Sequence, residues 1–224
     1  MEIIPGYLKT AEGSVLITMG NTHVLCAASV ESTVPAFLRN TGRGWVTAEY
    51  SMLPRATSTR TPREVTKGRA SGRTHEIQRL IGRSLRAAMR DFAFGEYTIK
   101  VDCDVLVADG GTRCASITGA CVALHDACAW LADKTSMPSA FARFIAAVSV
   151  GKVAGEHRLD LAYLEDRDAE VDANVVMLEP DGYVEVQGTG EHGTFDRAEL
   201  TALLDLAQSG LHQLFALQRA AIGV

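Results

Sequence analysis

A membrane-spanning helix is not expected in this 224-residue chain, because its longest apolar runs read as of strand length or as broken by charge. The opening Met1-Glu2-Ile3-Ile4-Pro5 lacks the basic segment and apolar core of a secretion signal. Both absences predict a chain without a membrane partner, in a cytoplasmic setting. There is no Cys-x-x-Cys pair, and the five cysteines (Cys26, Cys103, Cys114, Cys121 and Cys128) are odd in number, which argues against a disulfide framework and against zinc. Cys114, Cys121 and Cys128 recur every seven residues, about 10 Å along a helix axis, too far apart to share a metal but well placed for a buried stripe.

What is present is core-forming material. An apolar share of 47% suffices for one domain over residues 1–224. The formal net charge of -5 hides an uneven distribution. Residues 39–90 hold twelve of the 22 lysines and arginines against three acids, Glu49, Glu64 and Glu76. A basic tract on an otherwise acidic body points to a polyanionic partner that approaches from that side.

The feature that organises the chain is Val107-Ala108-Asp109-Gly110-Gly111-Thr112-Arg113-Cys114-Ala115-Ser116, an apolar strand running through two glycines into a helix of small residues. Glycines admit close backbone approach, and the first helical turn offers unpaired N–H groups at the positive end of the macrodipole. Gly111, Thr112 and Arg113 are therefore candidate anion ligands. No Gly-Lys-Ser/Thr follows, so the turn is not a Walker A loop.

Along the chain, residues 14–19 and 22–29 read as a hairpin about Gly20-Asn21, and residues 45–52 as a strand. Residues 54–72 show no apolar period and carry Arg55, Arg60, Arg63, Lys67 and Arg69, with Pro62 and Gly68 opposing regular structure. This is expected to be a mobile basic loop that holds a nucleic-acid backbone; without interleaved aromatics it does not stack bases. A helix is predicted from Arg73 to Arg90, with Arg79, Arg83, Arg86 and Arg90 on one stripe, part of it pairing with acids at a subunit contact. Arg73 stands at the helix start, where a cation is unfavourable unless an anion binds nearby.

In the second half, strands are expected over residues 144–150 and 158–161, a short helix over 162–168 and a strand over 171–177. Asp160, Asp166 and Asp172 are thereby placed around one strand–helix–strand unit, where carboxylates can converge on Mg²⁺ or move a proton. A strand over residues 183–187 is expected to end in a turn at Gly188-Thr189-Gly190. Asp196 and Glu199 read as a capping box for a last amphipathic helix.

The runs Gly44–Tyr50, Met52–Thr57, Ser71–Thr74, Glu76–Arg86, Asp102–Val105, Ala108–Arg113, Ala115–Ala120, Asn174–Met177 and Glu185–Thr189 closely resemble the bacterial ribonuclease PH family over essentially the whole chain. The resemblance implies an α/β (α+β) fold of mixed sheets packed on helices in pseudo-repeated β–α–β–α lobes, as in polynucleotide phosphorylase and exosome ring subunits, with a homohexamer built as a trimer of dimers. It implies phosphorolytic trimming of the 3′ ends of transfer RNA precursors and other RNA, with inorganic phosphate as co-substrate and nucleoside diphosphates released. Carried over by position, Arg73, Gly111, Thr112 and Arg113 match phosphate ligands, and Asp166 and Asp172 match catalytic carboxylates associated with Mg²⁺. Arg55, Arg60, Arg63 and Arg69 match contacts to transfer RNA. Where family members usually carry a further segment containing Arg-Pro-Asp-Gly-Arg, this chain opens at Met1-Glu2-Ile3, so an RNA or subunit contact made there is expected to be lost. Two other classes compete with this reading: a non-catalytic ring subunit that only guides RNA, and a hydrolytic nuclease that needs no phosphate.

Overall fold

The computed structural model describes the backbone of all 224 residues and every side chain except those of Val65 and Lys67, so Lys67, a cation of the basic loop, lies outside the described side chains. A five-stranded sheet has the order β1-β2-β3-β5-β4, formed by Glu2–Pro5, Gly13–Met19, Thr22–Glu31, Thr98–Val107 and Trp45–Met52 respectively. The expected hairpin joins β2 to β3, and Gly20 supplies the positive φ (+53°) that its two-residue turn requires. Strands β4 and β5 run parallel, and the crossover between them contains helix α1, Gly72–Ala87.

Helix α1 begins earlier and ends earlier than its arginine spacing suggests. Ser71 caps it by accepting from the Thr74 N–H at 3.1 Å, and Ala88 closes it with bonds to the carbonyls of Arg86 and Leu85. Beyond that cap Met89 pairs with Phe141 and the Arg90 N–H bonds to the Ala140 carbonyl at 2.9 Å, so tertiary pairing takes Arg90 out of the stripe. The basic loop before α1 also holds more order than expected, since Glu64–Lys67 forms a 3-10 turn.

Helix α2, Thr112–Thr135, lies at the centre, against β2, β3 and β5 on one side and the strand Ile145–Val153 (β6) on the other. Its length and composition would let it cross a membrane, but most of its surface is buried inside the fold as a core helix. All five cysteines are free and buried, with Cys114, Cys121 and Cys128 along α2.

The second sheet has the order β7-β6-β8-β9, made of Glu156–Leu159, Ile145–Val153, Val171–Leu178 and Gly182–Gly190. Strands β6 and β8 are central; β6 is buried from Ile145 to Gly151, whereas β8 alternates Val171-Asp172-Ala173-Asn174 before a continuously buried apolar run from Val175 to Leu178. A short helix α3, Tyr163–Asp168, links β7 to β8. Residues 188–190 form no turn: β9 runs through them, pairing Thr189 with Asp172 and Gly190 with Val171. Where a Cβ of Gly190 would stand, the Gly193 carbonyl oxygen comes within 2.2 Å, so glycine serves a close backbone approach there.

The last helix, α4, is Arg197–Ile222. Asp196 caps it through the Glu199 N–H at 2.9 Å, but the Glu199 carboxylate, expected to reach back and complete a box, instead binds Lys152 at 2.7 Å. Its buried Gln218 donates to the carbonyls of Thr118 on α2 and Ile145 on β6, tying the two lobes through one amide.

Candidate active site

The turn from β5 into α2 is built for close approach. Gly110 has φ +82°, and a Cβ there would stand 2.3 Å from the Leu161 carbonyl oxygen of the other lobe. Gly111, the residue that opens α2, has a left-handed backbone (φ 57°, ψ 16°), and no side chain caps the helix. The first N–H groups of α2 thus remain available to an anion. Asp109 holds the turn in register: its N–H donates to Thr22 Oγ1 at 2.9 Å, and its carboxylate accepts from Asn21 at 2.9 Å and from the Tyr163 N–H of α3 at 3.3 Å.

Beside this turn lies a cleft of about 290 Å³ lined by Arg73, Arg113, Asp166, Asp172, Asn174, Gln187, Thr189 and Glu191. Of the residues singled out in the sequence, Arg73, Arg113, Asp166 and Asp172 meet here, brought from α1, α2, α3 and β8. Arg113 is held firmly, its guanidinium donating to Glu76 at 3.1 Å and to Gln187 at 2.9 Å. Arg73 is exposed at the first turn of α1 and, among the described residues, makes no hydrogen bond or ion pair.

Asp172 lies on β8 between Gly151 and Thr189. Its Oδ1 is buried without a hydrogen-bond partner. Burial, reinforced by the negative charge of Asp166, pushes the Asp172 carboxyl up to about 6, while Arg113 and Arg73 pull the other way. Asp166 is shifted upward too, by desolvation, against the pull of Arg73 and Arg113. The cleft therefore opposes two cations to a pair of carboxylates that repel each other.

Thr112 and Asp160 sit apart from the cleft lining. The Thr112 hydroxyl is buried in a 2.8 Å bond with the Tyr50 hydroxyl, leaving its backbone N–H as the group offered to an anion. Asp160 stands behind the glycine turn, with its Oδ1 3.5 Å from where a Gly111 Cβ would be. Among the described residues no group of three or more His, Cys, Asp or Glu is placed to hold a metal ion, so Asp160, Asp166 and Asp172 form no triad. Arg55, Arg60, Arg63 and Arg69 are exposed on the segment between β4 and α1. That segment touches the site through Ala56, whose carbonyl accepts the Ala108 N–H at 2.8 Å just before the glycines.

The sequence reading missed Asn174, Gln187, Thr189 and Glu191 as lining residues. The signal was a period of two: Gln187 and Thr189 alternate on β9 and Glu191 follows just beyond its end, as Asp172 and Asn174 alternate on β8, and the register pairs Asp172 with Thr189 and Asn174 with Gln187. A turn placed at residues 188–190 concealed it.

Residues 1–129 match the 3′ exoribonuclease family, domain 1, and residues 143–210 match domain 2 of the same family. The chain belongs to the 3′ exoribonuclease family. Relatives in this family named Ribonuclease PH include that of Solibacter usitatus, 59% identical over 223 residues, covering 99% of this chain and 94% of that protein. The protein of that name from Frankia casuarinae is 59% identical over 98% of this chain and 87% of its own length. Corynebacterium diphtheriae supplies another at 56%, covering 99% and 92%. The fold is shared with rice (Oryza sativa) Rrp46, at a TM-score of 0.79 and 17% identity over 100% of this chain and 94% of that one. It is shared also with a chain of the Archaeoglobus fulgidus exosome with RNA bound to the active site, at a TM-score of 0.78 and 22% identity over 95% and 85%.

Proposed function

We propose that this chain is a phosphorolytic 3′-to-5′ exoribonuclease that trims transfer RNA precursors, using inorganic phosphate and releasing nucleoside diphosphates. The observation that carries the reading is the meeting of Arg73 and Arg113 with Asp166 and Asp172 in one cleft beside the uncapped N-terminus of α2. A hydrolytic nuclease needs a site for the scissile phosphodiester alone, whereas two arginines and an uncapped helix N-terminus provide for a second anion beside it, and a subunit that only guides RNA has no use for a desolvated aspartate. Relatives of 56–59% identity bear the name Ribonuclease PH.

In this mechanism Arg73, Arg113 and the N–H groups of Gly111, Thr112 and Arg113 hold phosphate against the 3′-terminal phosphodiester. A phosphate oxygen attacks the terminal phosphorus in line, and the bond to the 3′ oxygen of the penultimate nucleotide breaks. Asp172 takes the proton that the attacking phosphate gives up and passes it to the departing oxygen, a role suited to a carboxyl near 6. Asp166 and Asp172 fit a Mg²⁺ site of the kind completed by substrate phosphates, because the Asp172 Oδ1 is a buried oxygen donor without a partner next to a second carboxylate. The ion would neutralise charge on the reacting phosphate oxygens. Arg55, Arg60, Arg63 and Arg69 hold the body of the transfer RNA, and the subunits assemble as a homohexamer, a trimer of dimers. Five unpaired thiols accord with a cytoplasmic setting.

The deciding measurement is trimming of a precursor transfer RNA with and without inorganic phosphate, with product analysis. Trimming that needs phosphate and yields diphosphates is the expected result; phosphate-independent release of monophosphates would overturn the reading, and so would RNA binding with no trimming at all. Arg113→Ala should raise the phosphate concentration required by at least about tenfold, from the loss of one or more charged hydrogen bonds.

A further inference from the structure

Asn174 stands on β8 two residues beyond Asp172, on the same face of the strand and about 7 Å along it. Its side chain is held from the core. The Cys114 thiol donates to the Asn174 Oδ1 at 3.2 Å, and Cys114 is fully buried as the third residue of α2. Burial pushes this thiol up from its ordinary value, against the pull of Arg113, so it keeps its proton at neutral pH and remains a donor. A thiol hydrogen bonds only the oxygen end of an amide, and the contact therefore fixes which end of Asn174 faces the helix.

The other end of the amide is left to the cleft. Among the described residues the Asn174 Nδ2 makes no hydrogen bond, and it is not one of the polar atoms sealed from solvent without a partner. Turning the amide over would set an oxygen toward the carboxylates of Asp166, Asp172 and Glu191 in the same lining and would leave the buried thiol hydrogen unpaired. The position of the two free N–H donors is that of an anion ligand. Cys114 ties the amide to the first turn of α2, and the β8–β9 register sets it opposite Gln187, whose Oε1 accepts from Arg113 at 2.9 Å.

We propose that Asn174 is a further phosphate ligand, its Nδ2 donating to an oxygen of the inorganic phosphate held by Arg113 and the N-terminus of α2, with Cys114 as the positioning residue that keeps the amide in that orientation. The inference rests on the phosphorolytic reading of the cleft and deepens it. Asn174 and Asp172 then present a donor and a proton acceptor to the phosphate from one face of one strand. An uncharged donor suits this place: a third cation would stabilise the charged form of Asp172 and weaken it as a proton acceptor, whereas an amide adds a bond and no charge.

The test measures thermal stabilisation by inorganic phosphate and the phosphate dependence of trimming, for the full chain and for Asn174→Ala, Cys114→Ala and Cys114→Ser. We expect Asn174→Ala to raise the phosphate concentration needed in both measurements by about tenfold, with RNA affinity in the absence of phosphate changed within about twofold. Cys114→Ala keeps Asn174 but frees its amide to turn, and should weaken phosphate binding about threefold; Cys114→Ser, which retains a donor, should restore most of that loss. An unchanged phosphate requirement in Asn174→Ala would overturn the inference. Lost RNA affinity with phosphate binding intact would overturn it too, by assigning the amide to a ribose hydroxyl. Should Asn174→Ala fail to fold, the cysteine pair decides: a lower melting temperature in Cys114→Ala with phosphate binding equal to that of Cys114→Ser and the unaltered chain would overturn the inference. Failure of the phosphorolytic reading shows separately, as trimming by the unaltered chain that needs no phosphate and no stabilisation of that chain by it.

Discussion

In the proposed mechanism the requirements of folding and of chemistry conflict at Asp172. A carboxyl raised to about 6 in the folded chain binds a proton more tightly there than in the unfolded chain, where the ordinary value is 3.8. Between those two values stability falls as pH rises, and the loss persists above pH 6. Asp172→Asn should therefore stabilise the protein at pH 8 by on the order of 1–2 kcal/mol, with the gain vanishing near pH 4. Thermal unfolding at the two pH values checks this, and a variant less stable at pH 8 would contradict it. The same substitution should abolish turnover while RNA binding persists, since shape is kept and the proton acceptor is lost; near-normal single-turnover rates would refute the role. In the unaltered chain trimming should decline as pH falls, at a point below about 6 because Mg²⁺ beside the Asp172 carboxylate favours its charged, proton-accepting form.

Among the elements, the β5–α2 turn is the most demanding, and its two glycines are not equivalent. Gly110→Ala would drive a Cβ to 2.3 Å from the Leu161 carbonyl oxygen at φ +82°, a clash between backbones that side-chain movement cannot relieve. Gly111→Ala at φ +57° meets only Asp160 Oδ1 at 3.5 Å. We expect the second change to cost about 1–2 kcal/mol and the first to cost more than about 3 kcal/mol or to prevent folding. Denaturant titration of the two variants tests this order; equal losses would mean that the close approach of the lobes is not what Gly110 serves. At the other cationic element, Ser71→Ala removes the cap of α1 and should cost about 1 kcal/mol. Because Arg73 lies two residues beyond that cap, the variant should require more phosphate at little change in the maximal rate, as steady-state kinetics with varied phosphate can show.

For the whole molecule, the basic segment between β4 and α1 lies outside the cleft lining yet is fastened to it at Ala56. Its exposed Arg55, Arg60 and Arg63 should position RNA and take no part in the chemistry. Replacing all three with Ala should flatten the salt dependence of binding by about two units and should impair trimming of a whole precursor transfer RNA far more than that of a short unstructured RNA. Equal losses on both substrates would place the segment in the active site itself.

Much of this was legible in the residues alone. Strand alternation, the Gly20-Asn21 hairpin and the glycine turn are local, so residues 45–52 and the start of α2 at Thr112 could be placed from the sequence. Arg73 stood out for a local reason, a cation at a helix start, whereas Arg113, Asp166 and Asp172 were singled out by the glycine turn, by spacing and by the family resemblance. Their convergence was not legible, because α1, α2, α3 and β8 meet only when α2 packs between the two sheets. The tertiary structure also decided that β9 continues through residues 188–190, since the ladder to β8 outweighs the turn preference of two glycines. It separated Asp160 from the other two aspartates, a matter of side-chain direction that even spacing in the sequence cannot carry. Chain-local chemistry determined which groups were available; the packing of the lobes decided which of them face one another.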